Sequence, residues 1–195
     1  MEFHPHHLYH IYNRGNNQQP IFFTEANYLF FLQKIRTFIL PHCEILNYAL
    51  MPNHFHLLVY TNAHTSETKQ IGATERNVLS EGIRNMLQTY TKAINQQNHT
   101  TGSLFQQNTK AKCLDNESKN YGFTCFHYIH QNPMKAKLVL KMEEWDYSSF
   151  KDYAGLRNGT LCNKELAFSL LGIEKNRFYE DSYKIINEDA VNFMF

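Results

Sequence analysis

The chain is poor in paired cysteines, in charge of one sign and in long apolar runs. Its four cysteines, Cys43, Cys113, Cys125 and Cys162, lie far apart and form no CxxC motif. Reduced thiols in a cytoplasmic protein are the simplest account of that spacing. No apolar run approaches the length of a membrane-spanning helix, so no membrane span is expected. The opening Met1-Glu2-Phe3-His4-Pro5 has neither the basic region nor the apolar stretch of a secretory signal. Internal repeats and low-complexity segments are also missing. Net charge is +1 over 195 residues, too little to demand a polyanionic partner. The charge is uneven, however: residues 1–140 carry a mild excess of Lys and Arg, and residues 141–195 an excess of Asp and Glu. A basic body of this kind permits a polyanionic ligand.

What is present is the material of a folded core. Hydrophobic residues make up 43% and aromatics 14% of the chain, which excludes a disordered tail. The length suits one domain with appendages.

The most informative stretch is Met51-Pro52-Asn53-His54-Phe55-His56-Leu57-Leu58-Val59. On a β-strand, side chains alternate faces with period two. His54 and His56 then share one face while Phe55 enters the opposite layer. Two adjacent imidazoles are how a strand offers two ligands to one metal ion. The alternative is a pair of ordinary strand histidines.

Around this stretch, His6–Tyr12 reads as a strand broken by Asn13-Arg14-Gly15-Asn16-Asn17. Thr24 is an N-cap for a helix over 25–40, which Pro41 closes. Cys43–Met51 and His54–Tyr60 are strands joined at the Pro52-Asn53 turn. Residues 61–74 are polar and read as a mobile loop. Val78, Leu79, Ile83, Met86, Leu87 and Tyr90 mark a second helix, ending near Asn98. Ser103–Leu114 reads as a strand or extended hairpin arm, and Glu117–Asn132 as a third helix stopped by Pro133. Trp145–Phe150 opens a short block capped at Gly155, and helical sequence resumes at Lys164. The order β-α-β-β-α-β-α predicts an α+β fold. An antiparallel sheet carries helices packed on it, in a ferredoxin-like or RRM-like sandwich.

The third helix carries Tyr128 and Asn132 at i,i+4, on one face; His130 points away from Tyr128. A core aromatic and a helix-end cap would account for both. A helix packed across the histidine strand would instead aim Asn132 at the same ion and set Tyr128 over its open positions. A phenol with an ordinary pKa near ~10 is a poor nucleophile unless a cation or base assists it. A metal polarising a phosphoryl oxygen supplies that help. The product, a phosphotyrosyl ester, conserves the phosphodiester bond for a second transfer.

These residues carry a resemblance. The chain resembles the IS200-like (HUH, single-tyrosine) transposases, and more narrowly the REP-associated tyrosine transposase branch. The matching text is Tyr12–Asn17 with Pro20-Ile21-Phe22, Tyr48–Val59 with its two histidines, Gly102–Gln106, Tyr128-Ile129-His130-Gln131-Asn132-Pro133 continuing to Val139, and Trp145–Phe150 with Tyr153-Ala154-Gly155. It extends from about residue 8 to about 155. The resemblance implies a catalytic domain over 1–155 and a mostly helical extension over 156–195. It implies that His54, His56 and Asn132 bind a divalent ion, most simply Mg²⁺ or Mn²⁺. It further implies that Tyr128 attacks single-stranded DNA beside a hairpin, becoming linked to the 5′ phosphate and releasing a 3′ hydroxyl. Phe105 stands where the family commonly has Trp, residues 107–110 lack its usual Arg, and residues 62–77 read as an insertion. None of these departures touches the proposed catalytic set.

Arg14, Lys110, Lys112 and Lys135 are the candidate DNA-binding residues, with Lys137 beside them. Lys110 and Lys112 share a face on an extended strand, and Arg14 sits in a glycine-containing turn. Tyr9 and Tyr12 are either core aromatics or platforms for unpaired bases, and His10 is placed near His54. The expected function is metal-dependent cleavage and rejoining of single-stranded DNA, in transposition or a domesticated derivative of it. The competing readings are a catalytically idle nucleic-acid-binding module and a hydrolytic metallonuclease. Either a monomer or a homodimer fits, and a cytoplasmic location is expected.

Overall fold

The structure, a computed structural model, describes residues 1–115, 121–184 and 186. Its core is a four-stranded antiparallel sheet built from β1 (Leu8–Arg14), β2 (Cys43–Met51), β3 (His54–Thr61) and β6 (Lys110–Cys113), in the order β2-β3-β1-β6. Helices α1 (Glu25–Phe38) and α2 (Val78–Asn98) cover one face, and α3 (Tyr121–Lys135) covers the other. Three short helices follow: α4 (Phe150–Tyr153), α5 (Lys164–Leu171) and α6 (Phe178–Ser182). The expected α+β sandwich of ferredoxin-like strand order is therefore present. Among the described residues no helix is long and apolar enough to cross a membrane.

Period-two alternation on β3 does the sorting. Phe55, Leu57 and Val59 enter the layer under α1 and α2, and Leu58 enters the layer under α3. Phe55 is fully buried, 5.1 Å from the Phe31 ring and edge-on to Phe105 at 6.1 Å. Tyr90 closes this aromatic cluster 4.9 Å from Phe31. Phe55→Ala is expected to cost about 3–5 kcal/mol of stability, as large-to-small changes in packed cores do. A urea midpoint within error of the parent would refute that. On β2 the register shifts between Ile45 and Asn47. The extra residue turns Leu46 and Asn47 toward α3, where Asn47 donates to the Phe126 carbonyl at 2.8 Å.

Several sequence motifs are structural joints. Asn27 at the start of α1 accepts from the Phe23 and Thr24 amides at 3.0 and 3.2 Å. A side chain on Gly15 would lie 2.2 Å from the Gln19 carbonyl oxygen, so the loop after β1 closes only around a glycine. That loop pins the β2–β3 turn: Gly15 donates to Asn53 O, and Ile21 and Phe22 donate to Pro52 O. The Trp-x-x-Ser-Ser block is another joint. Trp145 Nε1 donates to Leu50 O, Tyr147 stacks on Tyr28 at 3.8 Å, and Ser149 Oγ links the Tyr48 amide to His130 Nε2.

Three expectations are corrected. Residues 61–74 are not a loop. A 3₁₀ turn at Ala63–Ser66 leads into a hairpin of β4 (Thr68–Ile71) and β5 (Thr74–Asn77). Its two-residue turn places Gly72 at φ +60°, the backbone that a Gly-X hairpin turn requires. Pro133 does not stop α3, which runs to Lys135 and contains it. Proline removes one amide donor, but Ala136 and Leu138 satisfy the Asn132 and Pro133 carbonyls, and Lys137 at φ +58° ends the turn. The strand expected over 103–114 is confined to Lys110–Cys113; Phe105 makes an isolated bridge to Gly15. Glu117–Asn120 of the expected third helix and residues 187–195 of the extension lie outside the described residues.

Candidate active site

His54 opens β3 opposite Arg14 on β1, and His56 lies opposite Tyr12. Their shared face is the α3 face, so α3 brings Tyr128 to them. A cavity of about 190 Å³ is lined by Tyr12, Asn13, Arg14, His54, His56 and Tyr128. The His54 and His56 rings are 5.0 Å apart, and the His56 ring stands 6.2 Å from Tyr128, edge-on. Two strand residues and one helix residue, more than 70 positions apart in sequence, thus meet in one space.

Both histidines are held neutral. Burial pushes His54 down to about 4, and the Arg14 cation adds to that effect. Burial, then the neighbouring His10 and His54, hold His56 well below the ordinary imidazole range. Neutral imidazole is the form that ligates a metal. His54 Nδ1 lies 2.6 Å from Asn53 Oδ1. Since that oxygen can only accept, the ring proton sits on Nδ1 and the lone pair on Nε2.

Burial raises the Tyr128 phenol, Cys125 adds slightly, and a hydrogen bond from Asn132 opposes both. Asn132, one turn later, also donates Nδ2 to the Tyr128 carbonyl at 3.0 Å. It is 9% exposed and is not part of the cavity wall. Lys135 Nζ is 5.4 Å from the Tyr128 ring centroid. Sequence reasoning did not connect these two, although seven residues is two helical turns and the signal was in the spacing.

Arg14 lines the cavity, and its buried Nε has no hydrogen-bond partner among the described residues. Lys110 and Lys112 lie on β6 opposite Tyr12 and His10. Register-paired residues share a face, so both lysines stand on the His56 side of the sheet. Tyr9 is a core residue, edge-on to Phe3 at 4.9 Å, whereas Tyr12 is half-buried in the cavity wall. His10 lies against His56, not His54. His130, pointing away from Tyr128 as the helical spacing predicts, is buried against Ser149.

Among the described residues no group of three His, Cys, Asp or Glu side chains is placed to hold a metal ion. A metal in this cavity would rest on the two imidazoles and on water or substrate oxygens. A larger groove of about 860 Å³ runs between α2 and residues 100–109. It holds Arg84 and Lys92 but no histidine or carboxylate, so the convergent chemistry belongs to the smaller cavity.

No protein-family model matches the sequence, and no curated protein matches it. Among solved structures the chain is similar to the REP-associated tyrosine transposase bound to a REP hairpin. The TM-score is 0.61, with 17% identity, over 80% of this chain and 86% of that one. At that identity the likeness establishes a shared fold: an antiparallel α+β sandwich.

Proposed function

We propose that this protein is a metal-dependent DNA transesterase of the transposase type, which cuts and rejoins single-stranded DNA through a 5′-phosphotyrosine. The observation that carries the proposal is the convergence of His54, His56, Tyr128 and Arg14 in one cavity. The fold shared with a tyrosine transposase bound to a hairpin supports it. The substrate we assign is single-stranded DNA beside a hairpin.

In this reading His54, His56 and Asn132 hold Mg²⁺ or Mn²⁺. The two neutral imidazoles line the cavity and fit such an ion, with room for phosphate oxygens, while Asn132 lies outside the wall and would have to turn its amide oxygen inward. When bound, the ion polarises a phosphoryl oxygen as a Lewis acid. The other parts belong to the chain. Arg14 presents a buried, unpartnered N–H donor suited to a phosphate oxygen. Tyr128 Oη attacks phosphorus and the P–O3′ bond breaks. The departing 3′ oxygen takes up one proton as the phenol gives one up. The ester on Tyr128 keeps the energy of the phosphodiester, so a second 3′ hydroxyl can reverse the step and rejoin the strand. Lys110 and Lys112, on the His56 side of the sheet, and Lys135, 5.4 Å from the Tyr128 ring centroid, are assigned to the flanking backbone.

An idle binding module of the RRM kind would need an open sheet face for bases to stack on. Here α1 and α2 cover one face and α3 the other, which favours the catalytic reading. His54→Ala is expected to weaken Mn²⁺ binding by ~100-fold or more, since even supporting residues of metal sites cost 10–100-fold. Calorimetric titration checks this, and parent-like affinity in the variant would remove His54 from the site.

A further inference from the structure

The cavity explains His54 and His56 but leaves a third histidine beside them. His10 lies in the middle of β1 and is fully buried. Its Nε2 is 2.9 Å from His56 Nδ1, and the two rings stack at 5.1 Å with 23° between planes. Tyr12 stacks on its other neighbour position at 4.8 Å. His10 is not part of the cavity wall, so it cannot be read as a substrate contact or a ligand facing that space.

A hydrogen bond between two neutral imidazoles has a direction. If His10 Nε2–H donates, His56 is protonated on Nε2 and cannot ligate through that nitrogen. If His56 Nδ1–H donates, His10 is the acceptor and the His56 lone pair lies on Nε2. With the ring of His56 fixed on the cavity wall through Nδ1, the second arrangement is the one in which it can serve a metal. His54 already has this pattern, with Asn53 Oδ1 as the acceptor behind Nδ1.

We infer that His10 is a positioning residue for the metal pair: it accepts from His56 Nδ1–H and so fixes the ring orientation and tautomer that make His56 a ligand. The inference rests on the metal reading of His54 and His56. Metal-ligating histidines ordinarily donate their second ring N–H to a carboxylate, a carbonyl or water. In this protein a buried imidazole takes that place, and Asn53 takes it for His54. The pair of supporting acceptors is carried by two different segments, β1 and the β2–β3 turn.

The test begins with the metal-free parent protein. Long-range ¹H–¹⁵N spectra of its histidines report the tautomer directly. A proton on His56 Nδ1 is the expected result; a proton on His56 Nε2 overturns the inference without any mutation. Mn²⁺ affinity is then measured for His10→Leu and His10→Gln, with His54→Ala alongside. His10→Leu removes the acceptor and is expected to weaken binding 10–100-fold, while the side-chain carbonyl of His10→Gln restores most of it. Weakening in His54→Ala but none in a folded His10→Leu overturns the role of His10 and leaves the metal pair standing. Parent-like binding in His54→Ala overturns the metal reading, and the role of His10 with it.

Discussion

Tyr128→Phe is expected to abolish the covalent protein–DNA adduct, by ~10³-fold or more, as removal of a nucleophile does. Binding of a hairpin with a single-stranded flank should change by no more than about twofold. The substitution deletes one hydroxyl and keeps the ring that packs against the core under α3, so stability should shift by less than about 1 kcal/mol. Denaturing electrophoresis of labelled oligonucleotide with protein, in Mn²⁺, reads the adduct. The cavity holds a second phenol, Tyr12, which makes a sharp control. Burial raises both phenols. Tyr128 has an opposing hydrogen bond from Asn132 and a lysine 5.4 Å from its ring, and it stands on the helix one turn from Asn132. Tyr12→Phe should therefore retain the adduct. An adduct that survives in Tyr128→Phe and disappears in Tyr12→Phe would move the nucleophile to β1. Strand cleavage by Tyr128→Phe with no adduct would point to a hydrolytic metallonuclease.

The second large effect is expected from acid. His56, His127 and His130 are 3%, 2% and 0% exposed. Burial lowers all three: His127 to about 4, and His56 and His130 well below the ordinary value. A folded-state pKa below that of the unfolded chain means that the unfolded state binds the extra proton. The stability tied to neutral histidine is therefore complete above about pH 6.5 and is lost as pH falls toward 4. Each pKa unit corresponds to about 1.4 kcal/mol, so His127 alone contributes up to about 3 kcal/mol. His56 and His130 act in the same direction. The urea midpoint in metal-free buffer should fall steeply from pH 6.5 to 5, with loss of structure near pH 4–5. A midpoint that holds level from pH 7 to 4.5 would contradict the burial of these rings.

Much of the fold was legible because its signals are local. Alternation on β3, the tight Pro52-Asn53 turn and the 3.6-residue pattern from Val78 to Asn98 each declare an element. The hairpin over 68–77 escaped because both strands are largely exposed. Without a buried face, Thr-Lys-Gln-Ile and Thr-Glu-Arg-Asn show no apolar alternation, and the glycine at the turn was the sole pointer. Pro133 misled because the rule that proline stops a helix ignores how close the natural end already was.

At the site, the histidine pair and the Tyr128–Asn132 face were visible from spacing. What joins them was not. That β1 sets Tyr12 against His56 and Arg14 against His54 is a matter of register, and register follows from long-range pairing. His10 was assigned to the wrong histidine for that reason. Trp145 and Ser149, which read only as part of a short block and of the resemblance, owe their positions to β2 and α3, elements up to a hundred residues away.

The sheet has two edges, and one is already closed by the chain itself. Tyr147 and Ser149 exchange backbone hydrogen bonds with Leu50 and Tyr48 along the outer side of β2, and Asn163 donates to Ile45 further along. A second copy could not continue the sheet there without peeling away the segment that also seats Trp145 and His130. Growth of a shared sheet between two molecules is therefore steered to β6, a four-residue strand carrying Lys110 and Lys112. Two such strands meeting edge to edge would bring four lysines together. Four like charges on facing edges repel, so the lysines discourage edge-to-edge pairing of two copies.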